Sequence, residues 1–369
     1  MFFKKRTITL SGSLSSAAWK KFKTNKLGSG SLAFICFSIV VAVLGYLITP
    51  DSTPFANDQY LELGLKKPGF SVMMLPVRNG LAYETTPFFK TMLLGKVTNL
   101  QNIPIRAWAV KNNSICFIEY GALPGDPSLV RSLPLNMVGM PFKKTFRLGT
   151  DRFGRDYLSQ LMIGTRVSLS VGMISVLISL VIGIFLGAVA GYYRGWVDNL
   201  IMWLINVIWS IPTLLLVIAI TFALGKGFWQ VFIAVGLTMW VEVARVVRGQ
   251  ILGIREKEYV EAARALGFSD FRIIFHHILP NVMAAVIVIS AANFASAILM
   301  EAGLSFLGLG VQPPVPSWGS MIKENYGYIV LDYAYLAILP GIAIMLLVLA
   351  FMLMGNALRD ALDVRMSEV

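Results

Sequence analysis

Few side chains in this sequence could carry covalent or metal chemistry. The only histidines, His276 and His277, are adjacent. On a helix they would project about 100° apart, a poor arrangement for holding one metal ion. The two cysteines, Cys36 and Cys116, are too few for a disulfide framework and have no neighbours at metal-ligand spacing. No G-x-S-x-G elbow and no H-E-x-x-H pair occurs. The phosphate-cradling loop G-x-x-x-x-G-K-[ST] is also missing. The sequence assigns no catalytic residue, no metal site and no cofactor to this chain.

What polar chemistry there is gathers in "EYVEAARALGFSDFRIIFHHILPN", residues 258–281. "YVEAARALG" predicts a helix of strong formers whose alanines, Ala262, Ala263 and Ala265, leave a low-relief surface. Gly267 is placed to end it, since a left-handed residue at that point carries no Cβ penalty only if it is glycine. Ser269 then suits the N-cap of a second helix. Phe271, Ile274, Phe275 and Ile278 recur at i, i+3, i+4 and i+7, an apolar face for that helix. Pro280 falls where a first-turn proline is tolerated. Periodicity leaves two readings open: an amphipathic hairpin resting on a bilayer, or a docking element for a partner protein.

The elements around this stretch belong to a membrane. Charged residues are 14% and hydrophobic residues 56% of the 369, far from the balance of a soluble domain. Six apolar runs follow one another at about 31–49, 167–190, 200–224, 228–243, 282–306 and 334–355. The fourth is weak, because "FWQVFIAVGLTMWV" makes only about 21 Å of helix. Residues 1–29 hold seven Lys or Arg and no acid, including Lys4, Lys5 and Arg6. The net charge of +12 therefore reads as topology rather than nucleic-acid binding, with N- and C-termini in the cytoplasm. Six spans also place the arginines of 244–281 on that side. The expected location is the plasma (inner) membrane, crossed several times.

Apart from their ends, the runs show no ionisable residue, which argues against an ion-coupled carrier. They do hold neutral polar residues: Asn206, Ser210 and Thr213, then Ser290, Asn293 and Ser296. These either join helices or line a wet pathway; Asn206, Ser210, Ser290, Asn293 and Ser296 are the candidates for the second role.

Several stretches together resemble a known family. The order Glu261, Ala262, Ala263, Gly267, Ile274, His277, Leu279, Pro280, Asn281 is similar to the "EAA" loop of ABC importer permeases. "LGTDRFGRDYLSQLMIGTRVSLSVG" (148–172), "EAGLSFLGLGVQPPVPSWGSM" (301–321), "GNALRDALDVR" (355–365) and "AAWKKFKTNKLGS" resemble signatures of the dipeptide, oligopeptide and nickel permeases within that class. The likeness covers about 17–50 and 146–366.

The resemblance implies an all-α permease fold of six transmembrane helices, to which the topology adds a small extracytoplasmic insertion, larger than many relatives carry. It divides the chain into a basic segment (1–29), a first helix (30–50), the insertion (51–146), a five-helix domain with its coupling loop at 244–281 (147–358), and a cytoplasmic tail (359–369). It further implies half of a peptide pathway, with nickel or another small solute as alternative cargo. Partners would be a second homologous permease, two ABC ATPases holding the ATP and Mg, an extracytoplasmic solute-binding protein, and lipid. Coupling to an ATPase would fall to Glu261, Ala262, Ala263, Arg264 and Gly267. A non-transporting scaffold and a secondary transporter are the other function classes considered.

The chain departs from the family pattern in the third run, where Trp203 and Asn206 stand at places commonly held by an arginine and an aspartate. In 148–172, Gly149 and Gly154 are expected to shape turns while Asp151, Arg155 and Asp156 pair locally. Trp318 is expected to anchor an outer loop at the membrane interface.

Overall fold

The computed structural model describes residues 14–78, 87–97, 99–122, 130–225 and 227–362. The basic residues Lys4, Lys5 and Arg6 and the tail beyond residue 362 lie outside them.

After α1 (Leu14–Thr24), Asn25 caps α2 (Lys26–Ile48) by accepting the Gly28 amide at 3.0 Å. Between α2 and the next long helix comes the insertion, built on β structure. It comprises β1 (Phe70–Arg78), a short α3 (Phe88–Leu94), β2 (Leu100–Lys111), β3 (Ser114–Glu119), β4 (Val130–Pro134) and β5 (Phe142–Phe146). The strands form one antiparallel sheet in the order β4-β3-β2-β1-β5. Leu75, Ile105, Ile115 and Phe117 pack together in one cluster, and Tyr60, Leu63, Val72, Met74 and Phe146 in another. The membrane helices are all-α as expected, but the insertion needed more than the one strand-like run seen in "SICFIEYG", which is β3.

Asp156 opens α4 (Tyr157–Tyr193) by taking the Ser159 amide at 2.8 Å. The third apolar run is not one helix. It is α5 (Gly195–Trp209) and α6 (Thr213–Leu224), bent by 91° where Pro212 removes a backbone donor. The fourth run, short in the sequence, is a long helix, α7 (Phe228–Ile254). Next come α8 (Glu258–Ala265) and α9 (Asp270–Arg272), which passes through a π-helical turn (Ile273–Ile278) into α10 (Leu279–Phe306). The chain closes with α11 (Trp318–Asn325) and α12 (Tyr335–Leu362). Among the described residues, five helices are long and apolar enough to cross a membrane, and the bent pair makes a sixth if it counts as one span.

Packing decides that count. A Cβ on Gly183, Gly187 or Gly191 of α4 would stand 2.7, 2.5 or 3.0 Å from the carbonyl oxygens of Trp240, Ala244 and Arg248 of α7. The two backbones touch along a seam of glycines spaced by four, as in close-packed membrane helices. Residue numbers rise together on both sides, so α4 and α7 run parallel. The α5–α6 pair between them must therefore carry the chain back across, and it acts as one crossing.

The other helices alternate. Gly172 meets Phe294, Phe294 stacks on Phe351 at 4.0 Å, and Gly355 meets Ala291, so α10 opposes both α4 and α12. Gly28 lies against Ala357, and Phe22 packs with Ala357 and Ala361. The start of α2, the end of α12 and the 255–281 segment thus share one side of the bundle. The insertion lies on the other.

Candidate functional site

The stretch from 255 to 281 folds as a rigid knob. Glu258 and Glu261 lie in the first turn of α8 and Arg264 in its last, each where its charge suits the helix dipole. Gly267 has φ +77°. Its amide bonds to the Arg264 carbonyl at 2.9 Å, and the Phe268 amide to that of Ala263 at 3.1 Å. This is the Schellman pattern that the glycine predicted. Ser269 stands at the N-cap of α9, yet its side chain accepts no capping bond.

Beneath α8, Val260 and Ala263 are buried with Val247, Ile251, Ile273, Ile274 and Ile278. Of the five residues carried over as ATPase contacts, Glu261, Ala262, Arg264 and Gly267 are exposed, whereas Ala263 faces the interior. The expected apolar face of the second helix splits as well. Ile274 and Ile278 are buried, while Phe271 and Phe275 are exposed. The π turn adds a residue to the ring, with the Leu279 amide reaching the Ile274 carbonyl, and so rotates the pattern away from a 3.6-residue repeat.

The outer surface of α8 also holds two residues the sequence did not single out, Leu266 and Tyr259. Leu266 is 73% exposed. The only signal for it was a leucine wedged between an alanine helix and its terminal glycine.

Polar links tie the knob to the long helices. The Tyr192 hydroxyl at the end of α4 donates to Asp270 at 2.6 Å. The Arg264 guanidinium lies 5.1 Å from the Tyr192 ring centre, and Arg255 donates to the Tyr192 carbonyl. Arg194 pairs with Glu256 at 2.6 Å. Burial, with Arg194 and Arg264 close by, lowers the pKa of Arg255 below the usual arginine value. The Asn281 side-chain amide donates to the His277 carbonyl at 2.8 Å and lies 3.3 Å from the Tyr259 hydroxyl. The start of α10 is thereby joined to α8, and the His277 ring stacks on Phe268.

The candidate pathway residues fall on two elements. Asn206 and Ser210 are exposed on the bent pair. On α10, Ser290 and Ser296 are half-buried. Asn293 is 1% exposed, and neither of its amide atoms has a hydrogen-bond partner among the described residues. An arginine–aspartate pair does join α5 to α7, but from other positions: Arg248 grips Asp198 through two bonds of 2.5 and 2.7 Å.

One ionisable residue is more interior than its place near a run's end suggested. Glu301 is fully buried in α10 and accepts from the Ser305 hydroxyl at 2.6 Å. Its signal was the four-residue spacing to Ser305.

On the insertion side, Gly149 and Gly154 have φ +75° and +73°. Arg155 is buried between Asp151 at 2.6 Å and Glu324 at 2.7 Å, so the local pairing extends to α11. Asp156 caps α4 instead of joining that pair. Trp318 is an interior residue rather than an interface anchor. It packs on Gly164 and donates to the Leu161 carbonyl at 2.9 Å.

Among known proteins, the family described as binding-protein-dependent transport system inner membrane component matches residues 183–368. The N-terminal TM domain of oligopeptide transport permease C matches residues 13–68. A glutathione transport system permease from Pectobacterium atrosepticum is 43% identical over 216 residues, which cover 58% of this chain and 71% of that one. A dipeptide transport system permease from Alkalihalophilus pseudofirmus is 43% identical over 218 residues, 59% of this chain and 71% of the relative. A di/tripeptide permease from Pseudomonas aeruginosa is 44% identical over 218 residues, 59% of this chain and 72% of the relative. Among solved structures, a chain of the inward-facing MetNI methionine ABC transporter is similar with TM-score 0.46 and 19% identity, covering 56% of this chain and 97% of that one. The chain belongs to the family of inner-membrane components of binding-protein-dependent transport systems.

Proposed function

We propose that this chain is the permease subunit of an ATP-driven importer of small peptides, supplying half of the pathway across the membrane. A second homologous permease completes the pathway. Two separate ATPases hold the ATP and Mg, and an extracytoplasmic binding protein delivers the cargo. The chain itself is not an enzyme and binds no cofactor. Peptide cargo is supported by the names of its relatives, which are glutathione, dipeptide and di/tripeptide permeases.

The observation that carries this reading is the α8 knob, with its exposed, low-relief outer surface on a buried base and its covalent run into α10. Glu261, Ala262, Arg264, Leu266 and Gly267 present the docking face. Ala263 supports it from beneath. The knob, α1 and the end of α12 share one side of the bundle, and that side carries Lys20, Lys21, Lys23, Arg255 and Arg264. A cytoplasmic position for both termini and the knob agrees with the charge bias of inner-membrane proteins. Asn206, Ser210, Ser290 and Ser296 are the residues we place toward the pathway. Asn293 joins them in a conformation that opens its surroundings.

Ala262→Trp tests the reading, because the side chain at that position is exposed and the free chain has room for the indole. The variant should reach the membrane in normal amount. It should lose copurification with ATPase subunits and uptake of a labelled dipeptide. Unchanged ATPase recovery and uptake would refute docking through α8.

A further inference from the structure

The short helix α3, "FFKTMLL", has no buried residue. Phe88, Phe89, Leu93 and Leu94 are all exposed, as is Val97 just beyond it. Such a surface would be a liability in water. Its position removes that difficulty. Arg166, in the third turn of α4, donates to the Leu93 carbonyl at 2.8 Å and lies over the Tyr46 ring in the last turns of α2. The helix therefore lies beside the end of a spanning helix, at the level of the bilayer interface. Phe37, Val40, Val43 and Leu47 on the neighbouring α2 are exposed as well. Side-chain character and placement are those of a segment lying in the headgroup and upper acyl region.

Directly after α3 the chain is pinned. Gly95 has φ +84°, its Cβ position is blocked 2.8 Å away by Pro54, and the Lys96 amide bonds to the Ser52 carbonyl at 2.7 Å. Lys96 thereby comes to the rim of a cavity of about 790 Å³ between the insertion and the spans. Lys143, Lys144 and Arg147, from β5 and the residue after it, complete a basic wall. Ile48, Leu158 and Met162, from the ends of α2 and α4, give an apolar floor.

Two carboxylates also face this space, and both are occupied. Asp51 accepts from the Thr53 amide and hydroxyl and from the Asp58 amide. Asp58 accepts from the Tyr60 hydroxyl, and burial raises its pKa above the usual carboxylate range. Lys144 lies over the Tyr60 and Phe146 rings. Lys96, Lys143 and Arg147 form no ion pair with any described residue.

We propose that this cavity holds the phosphate headgroup of an anionic phospholipid from the leaflet facing the insertion, with α3 seated in that leaflet beside it. Basic side chains supply the charge, and the apolar floor leads the acyl chains down along α2 and α4. Recognition of this kind rests on a basic pocket at the membrane surface. It is independent of cargo and of the ATPase contact, since it uses neither α8 nor the pathway residues.

The test uses the full chain in nanodiscs of equal phosphatidylglycerol and phosphatidylcholine, with lipids retained after detergent extraction identified by native mass spectrometry. The wild type should retain phosphatidylglycerol preferentially. The variant carrying Lys96→Gln, Lys143→Gln and Arg147→Gln should lose most of that preference, because each basic side chain near an anionic surface is worth roughly fivefold in binding. All three side chains are exposed, so the variant should fold normally. No preference in the wild type, or an undiminished one in the triple variant, overturns the proposal. Saturable binding of inorganic phosphate that displaces the lipid would identify a free anion as the occupant, which also overturns it. Separately, a nitroxide on Phe89→Cys, with Cys36 and Cys116 replaced by alanine, should relax more with oxygen than with a water-soluble nickel chelate. The reverse order places α3 in water and removes its half of the proposal.

Discussion

Replacing Gly267 by alanine isolates the backbone contribution of the α8 turn. A Cβ built there meets nothing within 4 Å, so only the φ of +77° resists it. An L-residue in that region costs about 1–2 kcal/mol relative to glycine. The cost falls on the two capping bonds, Gly267 to Arg264 and Phe268 to Ala263, which fix the end of the proposed docking surface. If ATPase binding requires that turn, the penalty is drawn from the binding free energy, and affinity should drop by roughly 5- to 30-fold. Asparagine tolerates the left-handed region better than alanine, so Gly267→Asn should recover part of the loss. Gly253→Ala serves as a control, being a helical glycine with open space around it and no positive φ. Affinity of the solubilised permease pair for its ATPase, measured for all four proteins, reads the effect directly. Equal affinity for wild type and Gly267→Ala would refute the reasoning, as would a loss in Gly253→Ala of the same size.

Two further perturbations probe the opposite side of the bundle. Arg155→Met leaves the buried Asp151 and the half-buried Glu324 without their cation, and should cost about 3 kcal/mol of stability. Thermal unfolding in detergent checks this, and an unchanged midpoint would remove the triad from the account of how α11 is held. Asp156→Asn keeps the cap on α4, because the amide oxygen can still accept the Ser159 amide, while it removes the charge. Burial raises the pKa of Asp156 in the fold above its unfolded value near 3.9. Folding thus favours the protonated acid, and wild-type stability gains as pH falls through the raised value toward about 4. Relative to Asp156→Asn, the wild type should improve between neutral and mildly acid pH. A difference between the two that is flat with pH would contradict the burial argument.

The membrane helices and the α8 turn were legible because each rests on a local rule. Apolar length marks a span, and a glycine in "ALGFS" marks a helix end whatever lies around it. The fourth span looked short only because Glu242 and Arg245 interrupt its apolar run. In the structure the helix continues to Ile254, and the Arg245 guanidinium lies over the Trp209 ring at 3.9 Å. The break in the third run had a visible cause in Pro212, but nothing in the local sequence sets its 91° angle. The sheet stayed hidden for another reason. β1 contains Pro76, β2 contains Pro104, and β5 reads "FKKTF", so neither strand composition nor clean alternation is present. Their pairing is set by long-range contacts that no local pattern records. Among the site residues, Ala262 and Ala263 are adjacent alanines of identical type. Only the direction of the helix face decides that Ala262 is exposed while Ala263 is buried with Val260 and Ile274.

The same contacts that hold the knob define how a push on it would spread under the proposed docking. Val260 and Ala263 are seated among Val247 and Ile251 of α7, a close-packed joint with little room to slide. Tyr192 receives Arg264 from one side and donates to Asp270 on the other, so α4 is gripped from both ends of the hairpin. The run from α9 through the π turn into α10 has no loop in which to lose motion. But α4 and α7 are themselves locked by the Gly183, Gly187 and Gly191 seam, whose backbones cannot separate without opening a void. Movement of α8 is therefore transmitted to α4 and α7 as one body. Two irregular elements lie outside that body: the π turn (Ile273–Ile278) that joins the knob to α10, and the α5–α6 bend at Pro212. The neutral polar residues proposed for the pathway lie on the helices these elements adjoin, α10 and the bent pair. Under the proposed docking, a push on α8 would therefore reach the proposed pathway residues through the π turn and the Pro212 bend, and not through a shift within the α4–α7 pair.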